Sequence, residues 1–206
     1  CYTNKPLANS LGDTNGLGNL LTWESSAYLD LKEYDRAMEA AEEAVELKKQ
    51  APNRVEYAWS LNSLGEASRL NNQLEKAISC YQESQKIMID SGIQHGILIM
   101  DNNLAYSYWA KGDTVKAQQL VSKVLAKASQ EQFAGLFLET SHLQVRLWAE
   151  NGQPKRAETS ALEMLKLAAS SNFPKYEIWF ADWLFDFYRS RDDYKNALSI
   201  LERINV

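Results

Sequence analysis

His95 and His142 are the only two histidines in the chain, and neither has a second His, a Cys or a paired carboxylate at the offsets that a metal ion or a proton relay requires. Gly16-Leu17-Gly18 lacks the third glycine and the preceding strand of a dinucleotide loop, and no Gly-Lys-Ser/Thr follows any glycine run. These residues argue against an enzyme, and neither a metal nor a cofactor is expected. What remains is the chemistry of recognition. Asn62 and Asn102 stand 40 residues apart. A carboxamide both donates and accepts, so a ladder of such groups can pair with the backbone of an extended peptide whatever its side chains. Solvated polar positions on helices would use the same residues. Residues 173–188 hold eight aromatics in sixteen positions, with Trp179 and Trp183 one helical turn apart. Tryptophan is enriched in interface hot spots, although a cluster of rings also serves to pack neighbouring elements.

The elements that must carry these groups are legible from one periodicity. Alanine recurs at Ala37, Ala77, Ala117, Ala157 and Ala197, always 40 residues apart, and a fixed period of that size marks a stacked repeat array. Four residues after each come Ala41, Tyr81, Val121, Ala161 and Leu201; seven after come Ala44, Ser84, Val124, Met164 and Ile204. Those offsets lie on one face of a helix. Nine residues before each alanine stand Tyr28, Ser68, Tyr108, Trp148 and Tyr188. Between them fall the polar or turn-prone pairs Lys32-Glu33, Asn72-Gln73, Gly112-Asp113, Gly152-Gln153 and Asp192-Asp193. Each unit therefore reads as helix, tight turn, helix.

Composition agrees with an all-helical chain. Of 206 residues, 45% are hydrophobic and 24% charged, and only four prolines and nine glycines are present, most of them between the periodic segments. No run of 18 apolar residues exists, so no membrane span is expected, and no charged-then-apolar leader opens the chain. A net charge of -5 with both signs interleaved gives no basic face for a phosphate backbone, so nucleic acid is not an expected partner of this segment. Cys1 and Cys80 make no disulfide framework, which fits a reducing, cytoplasmic setting, with the periplasm as the alternative. Running the register back places residues 1–17 as the tail of a preceding helix and a turn. Five repeats follow, at 18–57, 58–97, 98–137, 138–177 and 178–206. Neither end supplies a polar capping unit, so the chain is read as a piece of a longer protein, with Cys1 an internal residue.

The pattern resembles the tetratricopeptide repeat. The segment Ala58-Trp59-Ser60-Leu61-Asn62-Ser63-Leu64-Gly65, followed by Leu74-Glu75-Lys76-Ala77 and Tyr81, is the best match, and Asn102-Asn103-Leu104-Ala105, Tyr108, Gly112-Asp113 and Ala117 nearly equal it. Repeats four and five depart most, with Val145 and Phe185 where the motif has a small residue and Pro154 opening a second helix. Proline is tolerated at that first helical position. The 40-residue unit is longer than the common 34 and is similar to those of kinesin light chain, of Rap and PlcR-type bacterial regulators and of MalT-like activators. The resemblance implies an all-α, right-handed superhelical solenoid of antiparallel helix pairs.

It also implies where to look for a partner. Carried onto this chain, the groove face of the first helices holds Trp59, Asn62, Glu66 and Arg69; then Asn102, Tyr106 and Trp109; then His142 and Arg146; then Trp179, Asp182 and Asp186. In relatives of this repeat length, asparagines of the first helix hold a peptide backbone, and the groove's polar atoms are expected here to be unpaired by protein. The two-carboxylate clamp of chaperone-binding relatives is missing. The resulting reading is a protein- or peptide-binding scaffold within a larger regulatory protein of bacterial type. The alternative is a sensor of a small ligand or signal peptide that controls an attached DNA-binding or signalling-enzyme domain. Trp179 and Trp183 are further read as an aromatic interface, through which the terminal repeats could form a homodimer.

Overall fold

The structure, a computed structural model, describes residues 13–50 and 52–204. The segment assigned above to a preceding helix lies largely outside them. Among the described residues there are ten α-helices and no strand. They are α1 (Thr14–Asp30), α2 (Tyr34–Lys48), α3 (Arg54–Leu70), α4 (Leu74–Asp90), α5 (Gln94–Ala110), α6 (Thr114–Gln130), α7 (Ala134–Glu150), α8 (Pro154–Ser170), α9 (Pro174–Arg189) and α10 (Tyr194–Ile204). The chain divides into two compact units, one ending at Asp113 and one beginning at Thr114. Odd-numbered helices are the first helices of the repeats and even-numbered ones the second.

The turns explain why the helices stop where they do. Lys32, Asn72, Gly112, Gly152 and Asp192 all have positive φ, between 58° and 85°. The following N–H then reaches back to the carbonyl of the residue nine before the periodic alanine: Glu33 to Tyr28 at 2.9 Å, Gln73 to Ser68 at 2.7 Å and Gln153 to Trp148 at 2.8 Å. This is the left-handed helix-ending motif, which satisfies carbonyls the helix itself leaves open. Gly92, Gln132 and Asn172 repeat the device between repeats, with φ of 68°, 57° and 58°. At Gly112 and Gly152 the missing Cβ removes the strain; at Lys32 and Gln132 the chain carries it. Starts are also marked: Asp13 Oδ1 accepts from the Gly16 N–H at 2.8 Å, Asn53 Oδ1 accepts from Val55 at 3.1 Å, and α8 and α9 open on proline.

The periodic alanines do mark the core. Ala37, Ala77, Ala117 and Ala157 are fully buried and Ala197 nearly so. Ala41, Tyr81, Val121 and Ala161, four residues on, are buried as well. Small residues here let backbones approach: Ser25 Oγ donates to the Ala37 carbonyl at 2.8 Å, and Ser84 Oγ to that of Ala58 at 2.8 Å. Leu201 departs from the expectation, at 37% exposure, because among the described residues no helix follows α10 to cover it.

Facing positions trade volume. A Cβ built on Gly65 of α3 would stand 2.6 Å from a ring carbon of the fully buried Tyr81 on α4, so glycine there makes room for the tyrosine. In repeat four the sizes invert, with Val145 on α7 and Ala161 on α8 buried in one cluster with Ala157, Leu165 and Phe180. The valine that departs from the repeat motif is thus accommodated by a small residue in its partner helix, and close packing is kept.

Candidate functional site

Within each unit the first helices of neighbouring repeats lie side by side, and that arrangement brings expected site residues into one patch in each unit. In the first unit, α3 and α5 touch. Asn103 Nδ2 donates to Asn62 Oδ1 at 2.8 Å. One to two turns along α3, the Arg69 guanidinium lies 5.5 Å from the Tyr106 ring centroid, and Tyr106 meets Trp109 edge-on at 6.5 Å. Arg69 Nε is buried with no hydrogen-bond partner among the described residues. Trp59 and Asn62 are half-buried and Glu66 is exposed.

Two expectations are corrected here. Asn102 is not a groove residue but a buried one, 1% exposed, and the carboxamide that meets Asn62 belongs to its neighbour Asn103. Nor are the polar atoms all held unpaired, since the two carboxamides join head to tail. The 40-residue register carries Asn62 onto Asn102, but contacts between side-by-side helices link facing sides, offset from that register: Asn62 to Asn103, Arg69 to Tyr106. Asn103 was legible in sequence only as the second half of an Asn-Asn pair.

In the second unit, α7 and α9 enclose a cavity of about 580 Å³. From α7 it is lined by His142, Arg146 and Ala149; from α9 by Trp179, Asp182, Trp183, Asp186 and Phe187; Ser190 and Arg191 close one end. Six residues singled out from the sequence thus line one cavity, and the two tryptophans assigned to a separate interface belong to the same cavity as His142. Ala149, Phe187, Ser190 and Arg191 were missed: Ala149 and Phe187 lie one turn beyond Arg146 and Trp183 but carry no polar group to single them out, and Ser190 and Arg191 sit beyond the end of α9, where helical spacing gives no guide.

The cavity's electrostatics are specific. His142 is 7% exposed, with its ring 5.1 Å from Trp179 and 5.7 Å from Phe180. Burial, and secondarily Arg146, push its pKa down to about 4, so the imidazole is neutral near pH 7. Its Nε2 accepts from Arg146 Nε at 3.5 Å. Arg191 lies 3.8 Å from the Phe187 ring centroid and donates to the Phe187 carbonyl and Ser190 Oγ at 3.1 and 3.2 Å. Asp186 pairs with Arg189 at 3.2 Å. Trp183 stacks on Phe187 at 4.9 Å. Tyr176 Oη donates to Glu139 at 3.1 Å, and burial, with this carboxylate second, pushes the phenol's pKa up.

No group of three or more His, Cys, Asp or Glu among the described residues could hold a metal ion. Cys80 is buried and its thiol is pushed up to about 11 by desolvation, which leaves it a poor nucleophile near neutral pH. No described helix is long and apolar enough to cross a membrane.

Residues 17–90 match the tetratricopeptide repeat family, and the helix pairs of both units have that fold. Among curated proteins no sequence matches the chain. Solved structures do resemble it. A Rap protein complexed with Competence and Sporulation Factor superposes with a TM-score of 0.82 at 15% identity, over 97% of this chain and 58% of that one. The Rap conjugation gene regulator of plasmid pLS20, in complex with the Phr* peptide, gives 0.71 at 17% identity, over 93% of this chain and 53% of that one. A kinesin light chain-like protein of Podosopora anserina, built of nearly identical TPR-like repeats, gives 0.65 at 18%, over 93% and 94%. At such identities the likeness carries the fold, and this chain spans little more than half of the two Rap proteins.

Proposed function

We propose that this chain is a peptide-recognition array that reads an extended segment of a partner on the exposed faces of its first helices. The observation that carries the reading is the cavity between α7 and α9, where indole walls and charged groups converge. The Asn62–Asn103 pair supports it in the first unit. Each amide keeps hydrogen-bonding capacity beyond their shared bond, suited to a peptide backbone that needs both a donor and an acceptor.

A second reading, in which peptide binding controls an attached output domain, is favoured by the likeness to a gene regulator solved with a peptide, of which this chain spans about half. A full-length reading frame that adds a DNA-binding or catalytic domain would support it. A frame encoding repeats alone would count against it.

Peptides selected from a displayed random library against the wild-type chain test the binding reading. Their affinity is then measured for Asn62→Ala/Asn103→Ala and for Trp183→Ala. Removing both carboxamides leaves neither orphaned, so the fold is expected to tolerate the change. Each lost hydrogen bond to a bound peptide contributes about 0.5–1.5 kcal/mol, so two amount to roughly 5- to 150-fold in affinity. A peptide seated on these faces loses affinity to at least one variant; peptides that bind both as tightly as wild type would remove the first-helix faces from the mechanism.

A further inference from the structure

The charged groups around the α7–α9 cavity are unequally satisfied, and that inequality has chemical content. Arg146 is held by His142, Arg191 by the Phe187 ring, its carbonyl and Ser190, and Asp186 by Arg189. Asp182 alone has neither an ion pair nor a hydrogen bond from its side chain among the described residues. It lies on α9 three residues after Trp179 and one before Trp183, and all three line the cavity. An indole face attracts a cation through its quadrupole, and a carboxylate beside it adds a hydrogen-bonding counter-charge. The structure already shows this ring accepting an ammonium, since Lys175 Nζ lies 4.7 Å from the Trp179 centroid.

Resting on the peptide-binding reading above, we propose that the cavity is a subsite for a cationic side chain, arginine or lysine, of the bound peptide. Asp182 receives the charge, and the indoles of Trp179 and Trp183 flank the aliphatic stem and the head group. An acidic side chain is the less suited occupant because both guanidinium groups of the cavity wall are already engaged, whereas the carboxylate is not.

Capped heptapeptides of alanine with a single central Arg, Lys, citrulline or Glu are the probes, titrated by saturation-transfer NMR into wild type and into Asp182→Asn. Citrulline keeps the shape and most donors of arginine without its charge. The Arg and Lys peptides are expected to bind roughly tenfold tighter than the citrulline and Glu peptides, as a cation–π contact plus an ion pair implies. That preference should shrink at high salt and vanish in Asp182→Asn, while circular dichroism stays unchanged because Asp182 is exposed. Equal binding of the Arg and citrulline peptides, or a preference that survives in Asp182→Asn, overturns the cation subsite and leaves peptide binding standing. If none of the four binds, the cation subsite falls, and the library selection described above decides peptide binding by itself.

Discussion

Gly65→Ala sets two effects of opposite sign against each other, and the structure decides between them. Gly65 lies inside α3, where an exposed alanine would gain about 1 kcal/mol in helix propensity. Its new Cβ, however, would stand 2.6, 2.8 and 2.9 Å from three carbons of the Tyr81 ring, nearer than any ordinary carbon contact. The ring is fully buried and cannot swing into solvent. Overpacking of a tight core costs typically 1–3 kcal/mol, and a clash with three ring atoms belongs at the upper end, so the net loss is about 1–2 kcal/mol. Urea unfolding followed by circular dichroism measures it. Tyr81→Val in the same background should relieve the clash, giving a coupling of at least about 1 kcal/mol relative to the two single changes. A Gly65→Ala protein more stable than wild type, or single effects that simply add, would show that α3 and α4 do not meet as described.

Three further outcomes are expected. Gln132→Gly should stabilise by about 0.5–1 kcal/mol, because Gln132 holds a φ of 57° that costs a Cβ-bearing residue more than glycine's extra chain entropy; a lower urea midpoint would refute it. His142 takes up its proton near pH 6.5 when unfolded but only near 4 when folded, so stability falls as pH drops through that window and levels off below it, by at most about 3 kcal/mol. His142→Asn should flatten that slope, and an identical pH dependence of variant and wild type would place the imidazole elsewhere. Asn62→Ala alone should cost more stability than Asn62→Ala/Asn103→Ala, since the single change strands a half-buried carboxamide; equal unfolding midpoints would argue that the 2.8 Å bond contributes nothing.

Much of the fold was legible because it repeats. The alanine period located the close contacts at Ala77 and Ala157, and the polar pairs located the left-handed turns at Lys32, Asn72, Gly112, Gly152 and Asp192, since one local geometry recurs under one local chemistry. The site was legible in part. Register assigns a residue to a face, so His142, Arg146, Trp179, Asp182 and Asp186 came out together around one cavity. It does not say which residue of the next helix is met across the gap, which is why Asn102 stood where Asn103 belongs. The volume exchange between Val145 and Ala161 was hidden for the same reason: a departure from a motif looks like a defect until its partner is known.

The six tryptophans report on the central claim, that partners bind on the first-helix faces. Trp59 and Trp109 mark the first unit's patch and Trp179 and Trp183 the second unit's cavity, whereas Trp148 packs under Arg156 at 4.1 Å and Trp23 is 65% exposed on α1. Fluorine NMR of 5-fluorotryptophan-labelled protein, assigned by single Trp→Phe changes and titrated with a library-selected peptide, reads all six at once. Saturable shifts at Trp59 and Trp109, at Trp179 and Trp183, or at all four, with Trp23 and Trp148 unmoved, are the predicted result. Saturable shifts confined to Trp23 or Trp148 would contradict it.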